Sequence, residues 1–507
     1  MKLMKSISAG VLTACMTVSS SFAAVDNSIT FTVNEDNEFR DVTMEMYGVG
    51  SEWLPSNSAY ITNYAEGSGI NRKFVSDMKE QGLSFEHFRM AGVTSTGYMW
   101  KENLGNISER KSYSIGTGNA VQMKSAFGVL ELAKLADAFN PGKGTVAYTV
   151  NLLHESPESM ADLAEYFYGD GKKNYNGGIN WAQKRIAGGM VNPVNVAEWE
   201  MGNEYDFGIF SHMFINYKIY IQKCKEVIAA IRSVKPDAPI ALTGDLMEGI
   251  KSNWDNAMLN ELGNEVQYYV KHGYFAMDAA YANEMNFVET GEVLDKKFGK
   301  NKIGIVVTEY NAQGTLSVME GSDAVAGGMG GCMYFAGGRA VADYLLRRIR
   351  QENILKANIF ATNAGTSYSM YYLDTDGKYK LNAAAMTLAM FQKYGVGKAY
   401  ESSVTDFDIG TASKISGAAI KTDDGMNLIM VNNSDDTDYY INFDFKKKYT
   451  VVEKEVMLPT EGGKLASNYK GKKQIDKVNE KFDDGKAADG YLVPKMTIMA
   501  LRLKEVQ

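Results

Sequence analysis

The sequence predicts an α/β fold: a (β/α)8 TIM barrel with an appended antiparallel β-sandwich. At 507 residues the chain exceeds what one ordinary core holds, so a large and a smaller domain are expected. Strand-like and helix-like stretches alternate from about residue 44 to 365, which is typical of a parallel sheet covered by helices. After about residue 380 the pattern changes to short alternating runs separated by Gly, Asn and Asp turns, as in a β-sandwich.

The alternating region contains eight candidate strands, which is the number that closes a barrel. They cover residues 44–49, 84–90, 145–151, 196–202, 239–243, 266–270, 303–308 and 357–362. The clearest helix covers residues 213–234, where apolar residues recur at helical spacing before Lys235-Pro236 ends the pattern. Further helices are predicted at residues 73–81, 122–139, 159–168 and 339–351.

The second domain begins after a helical pattern at residues 383–394. Its candidate strands cover residues 418–422, 427–432, 439–445, 450–457 and 495–503. Residues 28–33 also alternate, and we expect them to join the same sheet. We therefore predict an N-terminal strand within residues 24–40 that joins the β-sandwich, a barrel over residues 41–380, and the β-sandwich over residues 381–507.

The first 23 residues have the layout of a signal peptide. Lys2 and Lys5 precede an apolar run over residues 7–18, and Ser21-Phe22-Ala23 offers a cleavage site. The run is too short to span a bilayer, and no later apolar stretch is long enough. We therefore expect a secreted or periplasmic protein. The alternative is a lipoprotein, because Leu12-Thr13-Ala14-Cys15 is similar to a bacterial lipid-attachment site at Cys15.

Composition excludes several classes of function. A net charge of −8 argues against nucleic acid or an anionic membrane surface as a partner. The four histidines are scattered, and Cys224 and Cys332 have no Cys or His nearby at metal-ligand spacing, so no metal is expected. The sequence also lacks a phosphate-binding loop and a G-x-S-x-G nucleophile turn. We predict an enzyme without a cofactor.

Two glutamates carry the candidate chemistry, because each follows an apolar strand whose end would meet the rim of the barrel. Glu204 follows the strand at residues 196–202, and Glu309 follows the strand at residues 303–308. Two carboxylates at such strand ends are what glycosidic bond cleavage requires, one to protonate the leaving oxygen and one to attack the anomeric carbon. In the alternative interpretation, Glu204 is a solvated loop residue and Glu309 pairs with an arginine at the rim.

The sequence around both glutamates resembles clan A glycoside hydrolases, the 4/7 superfamily. Trp-Glu-Met-Gly-Asn-Glu at residues 199–204 is followed much later by Glu-Tyr-Asn at residues 309–311. In that clan the acid/base follows an Asn at the end of strand four, and the nucleophile ends strand seven. By our strand count Glu204 and Glu309 take those places. The resemblance therefore implies a retaining hydrolase that works by double displacement, with Glu204 as acid/base and Glu309 as nucleophile.

Within the clan, the chain is most similar to the α-L-arabinofuranosidases that carry a C-terminal β-sandwich. The likeness covers roughly residues 30–505 and includes Gly48-Val49-Gly50-Ser51-Glu52, Arg89-Met90-Ala91-Gly92, Gly97-Tyr98-Met99-Trp100, Lys271-His272-Gly273-Tyr274 and Lys356-Ala357-Asn358. It implies that Asn203 binds the sugar 2-hydroxyl, that Tyr274 orients the nucleophile and that His272 lines the sugar subsite.

The resemblance also suggests Glu52, Trp100 and Asn311 as substrate-binding residues. In the alternative interpretation, Glu52 faces solvent and Trp100 packs in the core. Arg89 is equally compatible with a structural ion pair beneath the site.

Two departures from that family concern the sugar subsite. Ala91-Gly92-Val93-Thr94 stands where the family has Pro-Gly-Gly-Asn, so an asparagine that binds the sugar is either missing or replaced by Thr94, and Tyr310 replaces a tryptophan. The motif from Arg89 to Thr94 is also similar to heparanase-like and glucuronidase members of the clan. An arabinofuranoside is therefore the leading carbohydrate substrate, with β-glucan, xylan or uronic-acid glycosides as alternatives. A non-catalytic carbohydrate-binding protein is a further alternative, and the family suggests a possible homo-oligomer.

Overall fold

A computed structural model of the chain describes residues 27–53, 61–62, 69–115, 121–123, 125–205, 216–245, 248–312, 330–361 and 368–506. The predicted signal peptide, with Cys15, lies outside the described residues, as do residues 24–26 of the segment predicted to contain the N-terminal strand. Within the described ranges, no helix is both long enough and apolar enough to cross a membrane.

The described residues form twenty-three strands, numbered here in chain order. They are β1 Ser28–Val42, β2 Gly48–Ser51, β3 Ile61–Thr62, β4 Gly69–Ile70, β5 His87–Met90, β6 Tyr113–Ile115, β7 Val121–Met123, β8 Thr145–Thr149, β9 Asn195–Met201, β10 Ile240–Thr243, β11 Tyr268–Phe275, β12 Gly304–Ala312, β13 Ile354–Ile359, β14 Tyr371–Leu373, β15 Tyr379–Leu381, β16 Gly397–Val404, β17 Ile415–Thr422, β18 Gly425–Asn432, β19 Tyr439–Asp444, β20 Tyr449–Pro459, β21 Ile475–Ala487, β22 Gly490–Val493 and β23 Thr497–Glu505.

Nine α-helices occur in the same part of the chain. They are α1 Arg72–Glu80, α2 Val129–Phe139, α3 Pro157–Tyr168, α4 Trp181–Ala187, α5 Tyr217–Val234, α6 Asn253–Leu262, α7 Glu284–Phe298, α8 Phe335–Ile349 and α9 Ala383–Tyr394. Most begin at a side-chain cap that accepts a hydrogen bond from a backbone N–H of the first turn, as at Ser156 before α3, Asn216 before α5 and Asn382 before α9.

Eight parallel strands close into a barrel in the order β2-β5-β8-β9-β10-β11-β12-β13, which confirms the predicted fold class. Each of the eight predicted strands overlaps one strand of the barrel. The first begins later than predicted, because Met44–Tyr47 forms a 3-10 turn. The strand that carries Glu309 is longer than predicted and continues to Ala312, so Glu309 lies within it rather than beyond its end.

The inside of the barrel is partly apolar and partly charged. One end holds a small cluster of Ala241, Val270 and Val306, all fully buried. Elsewhere the inward-facing residues include ionisable side chains with no exposed surface, notably Glu200 and Arg89. Buried charges persist only when they are paired and hydrogen-bonded. Arg89 and Glu200 meet this condition, because they pair with each other at 2.9 Å.

The remaining large sheet has nine strands in the order β21-β20-β23-β18-β17-β16-β1-β19-β22. Its two ends fold over one core, since Ile441 of β19 and Val451 of β20 belong to the same buried cluster as Phe31, Leu428 and Leu501. This is the β-sandwich that the sequence predicts. Ser28–Val42 runs antiparallel to β16 and parallel to β19, so the N-terminal strand joins this sheet.

Three strands of the sandwich were not predicted: β16, β21 and β22. The sequence of β21 is rich in charged residues and most of its described side chains are exposed, so it carries no apolar alternation. α9 packs against α8 on one side and against β18 and β23 on the other, which places it between barrel and sandwich. The exact boundary near residue 380 stays a prediction.

Candidate active site

Glu309 reaches the barrel interior because β12 contains a β-bulge. Val306 faces the interior, so strict alternation would turn Thr308 inward and Glu309 outward. Val307 pairs with Lys271, however, and Glu309 pairs with the next residue of β11, His272, which leaves Thr308 as an extra residue. Thr308 and Glu309 consequently both project inward, where they contact Glu200 and Arg89 respectively.

Glu204 reaches the same site through a tight turn that follows β9. β9 ends at Met201, and Gly202 and Glu204 both adopt positive φ values, of 89° and 48°. A side chain at Gly202 would collide with the ring of Tyr205, so glycine is required there on two counts. The turn carries Asn203 and Glu204 across the carboxyl end of the barrel. A positive φ at a residue with a side chain is uncommon, and such residues often occur at functional sites.

Glu204 and Glu309 converge on one pocket. A carboxylate oxygen of each lies with a ring nitrogen of His272 in a group whose members are all within 4.8 Å of one another. His272 Nδ1 lies 2.6 Å from Glu204 Oε1 and 3.7 Å from Glu309 Oε2. Retaining glycosidases need two carboxyl groups about 5–5.5 Å apart, whereas inverting enzymes need about 6.5–9.5 Å. A distance of at most 4.8 Å between one oxygen of each carboxylate is shorter than the range of inverting enzymes.

Arg89 joins the site to the barrel interior. Its Nη1 donates to Glu309 Oε1 at 2.6 Å, its Nε and Nη2 donate to the two oxygens of Glu200 at 2.9 Å each, and Nη2 also donates to Asn203 Oδ1 at 2.8 Å. The structural ion pair suggested by the sequence is thus present, and it holds the candidate nucleophile directly. Asn203 keeps its Nδ2 available, since no partner of that atom is found among the described residues.

Tyr274 completes the support of Glu309, with its hydroxyl donating to Oε2 at 2.7 Å. Burial works against ionisation of Glu309, but the charges of His272 and Arg89 and the two hydrogen bonds outweigh it and hold its pKa below the usual value of 4.5. Burial and the charge of Glu309 raise the pKa of Tyr274 well above 10, so Tyr274 remains a donor. Glu309 is therefore an ionised carboxylate whose orientation is fixed by Arg89 and Tyr274, and these are the properties that a nucleophile requires.

Glu52 is buried rather than facing solvent, and its carboxylate lies close to that of Glu309. Its oxygens accept hydrogen bonds from the backbone N–H groups of Val93 and Thr94, at 3.1 and 3.0 Å, and from the Thr94 hydroxyl. A Cβ added to Gly92 would stand 2.5 Å from Glu52 Oε1 and 2.7 Å from Glu309 Oε1, so both carboxylates flank that glycine. Burial and the charge of Glu309 raise the pKa of Glu52 to about 7.

Two predicted substrate-binding residues, Trp100 and Asn311, are fully buried and make their hydrogen bonds within the protein. Trp100 has no exposed surface, and its indole N–H donates to Ser159, so it packs in the core. Asn311 donates to the Phe360 carbonyl at 2.6 Å and accepts from the Ala312 N–H at 2.8 Å, so it ties β12 to the end of β13.

The residues that sequence analysis missed lie inside the barrel. Glu200 accepts from Arg89, from Thr149 at 2.7 Å and from Thr308 at 2.9 Å. Its inward direction follows from alternation, since Glu198 and Glu200 share a face of β9 and both are fully buried. Alternation from Val306 also turns Thr308 inward, but its contacts with Glu200 and His272 join different strands and had no signal in the sequence.

The cluster of Glu204, His272 and Glu309 has the ligand types of a metal site, but their donor atoms already have partners. The two nitrogens of His272 contact Glu204 and Thr308, and the two oxygens of Glu309 accept from Arg89 and Tyr274. An adjacent guanidinium also repels a cation. The arrangement suits proton transfer and nucleophilic attack better than metal ligation.

The chain was compared with family models and with proteins of known activity. No family model matches the chain. It is 24% identical over 213 residues to an exo-α-(1→6)-L-arabinofuranosidase of Bifidobacterium longum, and 21% identical over 252 residues to an intracellular exo-α-(1→5)-L-arabinofuranosidase of Acetivibrio thermocellus. These matches cover 42% and 48% of this chain but 39% and 48% of the relatives, so the similarity spans less than half the length of each relative.

The solved structures cover nearly the whole chain. An α-L-arabinofuranosidase of Thermotoga maritima, solved with arabinose, superimposes with a TM-score of 0.77 at 14% identity and covers 94% of this chain and 100% of its own. A family 51 arabinofuranosidase of Xanthomonas axonopodis pv. citri gives 0.75 at 16% identity, with 94% and 100% covered. A family 44 xyloglucanase of Paenibacillus polymyxa gives 0.58 at 12% identity, with 95% and 100% covered. The predicted resemblance to arabinofuranosidases with a C-terminal sandwich is confirmed for the fold.

Proposed function

We propose that this protein is a retaining glycoside hydrolase that acts on α-L-arabinofuranosides by double displacement. The observation that carries the proposal is the convergence of Glu204 and Glu309, from the fourth and seventh barrel strands, with carboxylate oxygens within 4.8 Å. The arabinofuranosidases among the similar structures support the sugar class.

In the first step, Glu309 attacks the anomeric carbon while Glu204 protonates the departing oxygen. Arg89 and Tyr274 each occupy one oxygen of Glu309, and this fixes the direction of attack. The Nδ2 of Asn203 is placed to donate to a hydroxyl group of the bound sugar, a contact that strengthens as the transition state forms.

In the second step, Glu204 acts as a base and removes a proton from water, which attacks the glycosyl-enzyme at the anomeric carbon. The bond to Glu309 breaks, the product leaves with its original anomeric configuration, and Glu204 is again protonated. The same two residues therefore serve both half-reactions.

Aryl glycosides provide the test. The wild type should release the aryl group from an α-L-arabinofuranoside, and ¹H NMR of the first product should show retained configuration. Glu309→Gln should lose on the order of 10³-fold or more of kcat. Glu261→Gln, an exposed glutamate on α6, is the matched control and should remain fully active. Inversion of configuration, or substantial activity of Glu309→Gln, would contradict the proposal.

Azide separates the two roles. With azide, Glu204→Ala should form an arabinofuranosyl azide of retained configuration, since the anion attacks the glycosyl-enzyme without needing a base. Glu309→Ala should instead form the azide of inverted configuration, because the anion replaces the nucleophile. Azide products of the opposite configurations would reverse the two assignments.

A panel of arabinofuranoside, xyloside, glucoside and glucuronide distinguishes the substrate classes. The likeness to a xyloglucanase keeps β-glucan in consideration, although its TM-score of 0.58 is lower than the arabinofuranosidase value of 0.77. Preferred hydrolysis of the glucoside or glucuronide would replace the sugar assignment and leave the mechanism in place. Calorimetric binding of arabino-oligosaccharides without turnover of any glycoside would indicate a carbohydrate-binding protein.

We also propose that residues 1–23 direct export. The support is the charged, apolar and small-residue layout at the N-terminus. Mass spectrometry of the mature protein from its host should give an N-terminus at Ala24, and a diacylglyceryl group on Cys15 would instead establish the lipoprotein alternative. An intact Met1 in the mature protein would contradict both.

A further inference from the structure

The hydroxyl group of Thr308 lies between Glu200 and His272, and His272 in turn contacts Glu204, the proposed catalytic acid. Thr308 Oγ1 is 2.9 Å from Glu200 Oε1 and 3.1 Å from His272 Nε2. The other ring nitrogen of His272, Nδ1, is 2.6 Å from Glu204 Oε1. A continuous chain of hydrogen bonds therefore runs from the barrel interior to Glu204, and the direction of each bond can be worked out from its donors and acceptors.

Glu200 can only accept. Arg89 donates two hydrogen bonds to it, one to each oxygen, and a guanidinium has no acceptor atom. Thr149 adds a further bond to Oε2 and Thr308 one to Oε1, so each oxygen has two partners. Because both oxygens of Glu200 face the donors of Arg89, Glu200 is the acceptor in its hydrogen bond with Thr308.

The single proton of the Thr308 hydroxyl must therefore point at Glu200. Its oxygen is left only as an acceptor toward His272, and so Nε2 of His272 must carry a hydrogen. If that is so, a neutral His272 has its lone pair on Nδ1, facing Glu204. The short contact between Nδ1 and Glu204 Oε1 then requires one further proton in that bond, because two lone pairs at 2.6 Å would repel each other.

We propose that Thr308 and Glu200 are positioning residues that fix His272 with a hydrogen on Nε2, so that Nδ1 and Glu204 share the proton used in catalysis. The proposal rests on the proposed function, in which Glu204 is the acid/base. It adds a reason for the bulge in β12, since only that bulge places both Thr308 and Glu309 inside the barrel.

The charged groups around His272 help to keep the shared proton between His272 and Glu204. The charged groups that face it are Glu204, Glu309 and Arg89, with Glu200 behind Thr308. Burial works against a charged imidazole, but the two nearby glutamates outweigh burial and Arg89, and they raise the pKa of His272 above 6.5.

Loss of the Thr308 hydroxyl should have a defined effect on pH dependence. Without it, neutral His272 can move its hydrogen to Nδ1 and donate to ionised Glu204, which is a stable arrangement that contains one proton fewer. The pair then gives up its proton at lower pH, and Glu204 has none to donate. We expect Thr308→Val, which keeps the shape of threonine, to shift the alkaline limb of kcat/KM to lower pH by about one unit.

The kinetic test compares wild type, Thr308→Val and Thr308→Ser on two aryl arabinofuranosides, one with a poor leaving group and one with an activated one. Thr308→Ser keeps the hydroxyl and should keep the wild-type pH profile. Thr308→Val should show the shift with the poor leaving group, which needs protonation, and little change with the activated one. Identical profiles for all three proteins, or equal losses on both substrates, would overturn the proposal.

A second measurement does not depend on activity. The full-length chain has four histidines, so ¹⁵N-histidine labelling gives few ring signals, and the signal absent from His272→Gln identifies His272. Wild type and Thr308→Ser should show a hydrogen on Nε2 throughout, whereas Thr308→Val should gain the form with a hydrogen on Nδ1 above neutral pH. A neutral wild-type His272 with its hydrogen on Nδ1 would overturn the proposal. The expected NMR pattern in a protein that hydrolyses no glycoside would refute the proposed function alone.

Discussion

Replacement of Arg89 by methionine tests whether the buried network holds the barrel and its site together. The Arg89 side chain has no exposed surface and is paired with Glu200, which is also fully buried, and with Glu309, which is 6% exposed. Arg89→Met would leave two buried carboxylates without their cation. Breaking one buried ion pair from one side costs about 3–5 kcal/mol, so we expect a loss near the upper end of that range.

The matched control is an exposed ion pair on the same barrel. Lys225 and Glu261 are 2.7 Å apart, with side chains 41% and 56% exposed. Lys225→Met should cost about 1 kcal/mol or less, because water screens the pair. The double variant Arg89→Met/Glu200→Gln should lose less than the sum of its single changes, since it removes one of the uncompensated charges.

Urea unfolding followed by tryptophan fluorescence measures these differences in the barrel alone. All five tryptophans lie in the predicted barrel domain, at Trp53, Trp100, Trp181, Trp199 and Trp254, so unfolding of the sandwich does not contribute. A free energy of unfolding for Arg89→Met within about 1 kcal/mol of that for Lys225→Met would refute the reasoning, because the network would then add little to stability.

Three further predictions concern the site. Tyr274→Phe removes the hydroxyl that donates to Glu309, and kcat/KM on an aryl arabinofuranoside should fall about 10²-fold without loss of thermal stability. Gly92→Ala would push a methyl group against Glu52 and Glu309, so its activity should fall at least as far, and an alanine variant with wild-type kcat would show that this space is larger than the structure indicates. Because the pKa of Glu309 is held below 4.5, its ionised form stabilises the folded protein above that pH. This stabilisation is lost as the pH falls through the depressed pKa. In urea titrations, Glu309→Gln should therefore lose less stability than wild type between about pH 5 and pH 3.

The order of the barrel could be predicted because each strand is a short apolar run bounded by a helix pattern. The helix predicted at residues 383–394 coincides with α9, where an asparagine cap and a glycine after the last turn mark both ends. By contrast, β21 was missed, because a strand with charged, exposed residues has neither apolar alternation nor a buried face for a pattern to report.

Some site residues could be placed from the local sequence, whereas the position of others depends on parts of the chain that are distant in sequence. Glu204, Glu309, His272 and Tyr274 lie within about four residues after the ends of predicted strands, and all four meet in one pocket. Trp100 lies in a loop after β5, where its packing is decided by α3 and α4, and no local pattern distinguishes core from site.

By itself the sequence determined the barrel, the appended sheet and the strands on which the two glutamates lie, since apolar periodicity is a local property of the chain. Only the tertiary structure decided that Glu309 faces inward, because the bulge at Thr308 is defined by the pairing of β12 with β11 and β13. It also decided that Arg89 donates to Glu309 and that Thr308 contacts His272. Those hydrogen bonds join different strands of the barrel, and closing the barrel is what brings them within reach of one another.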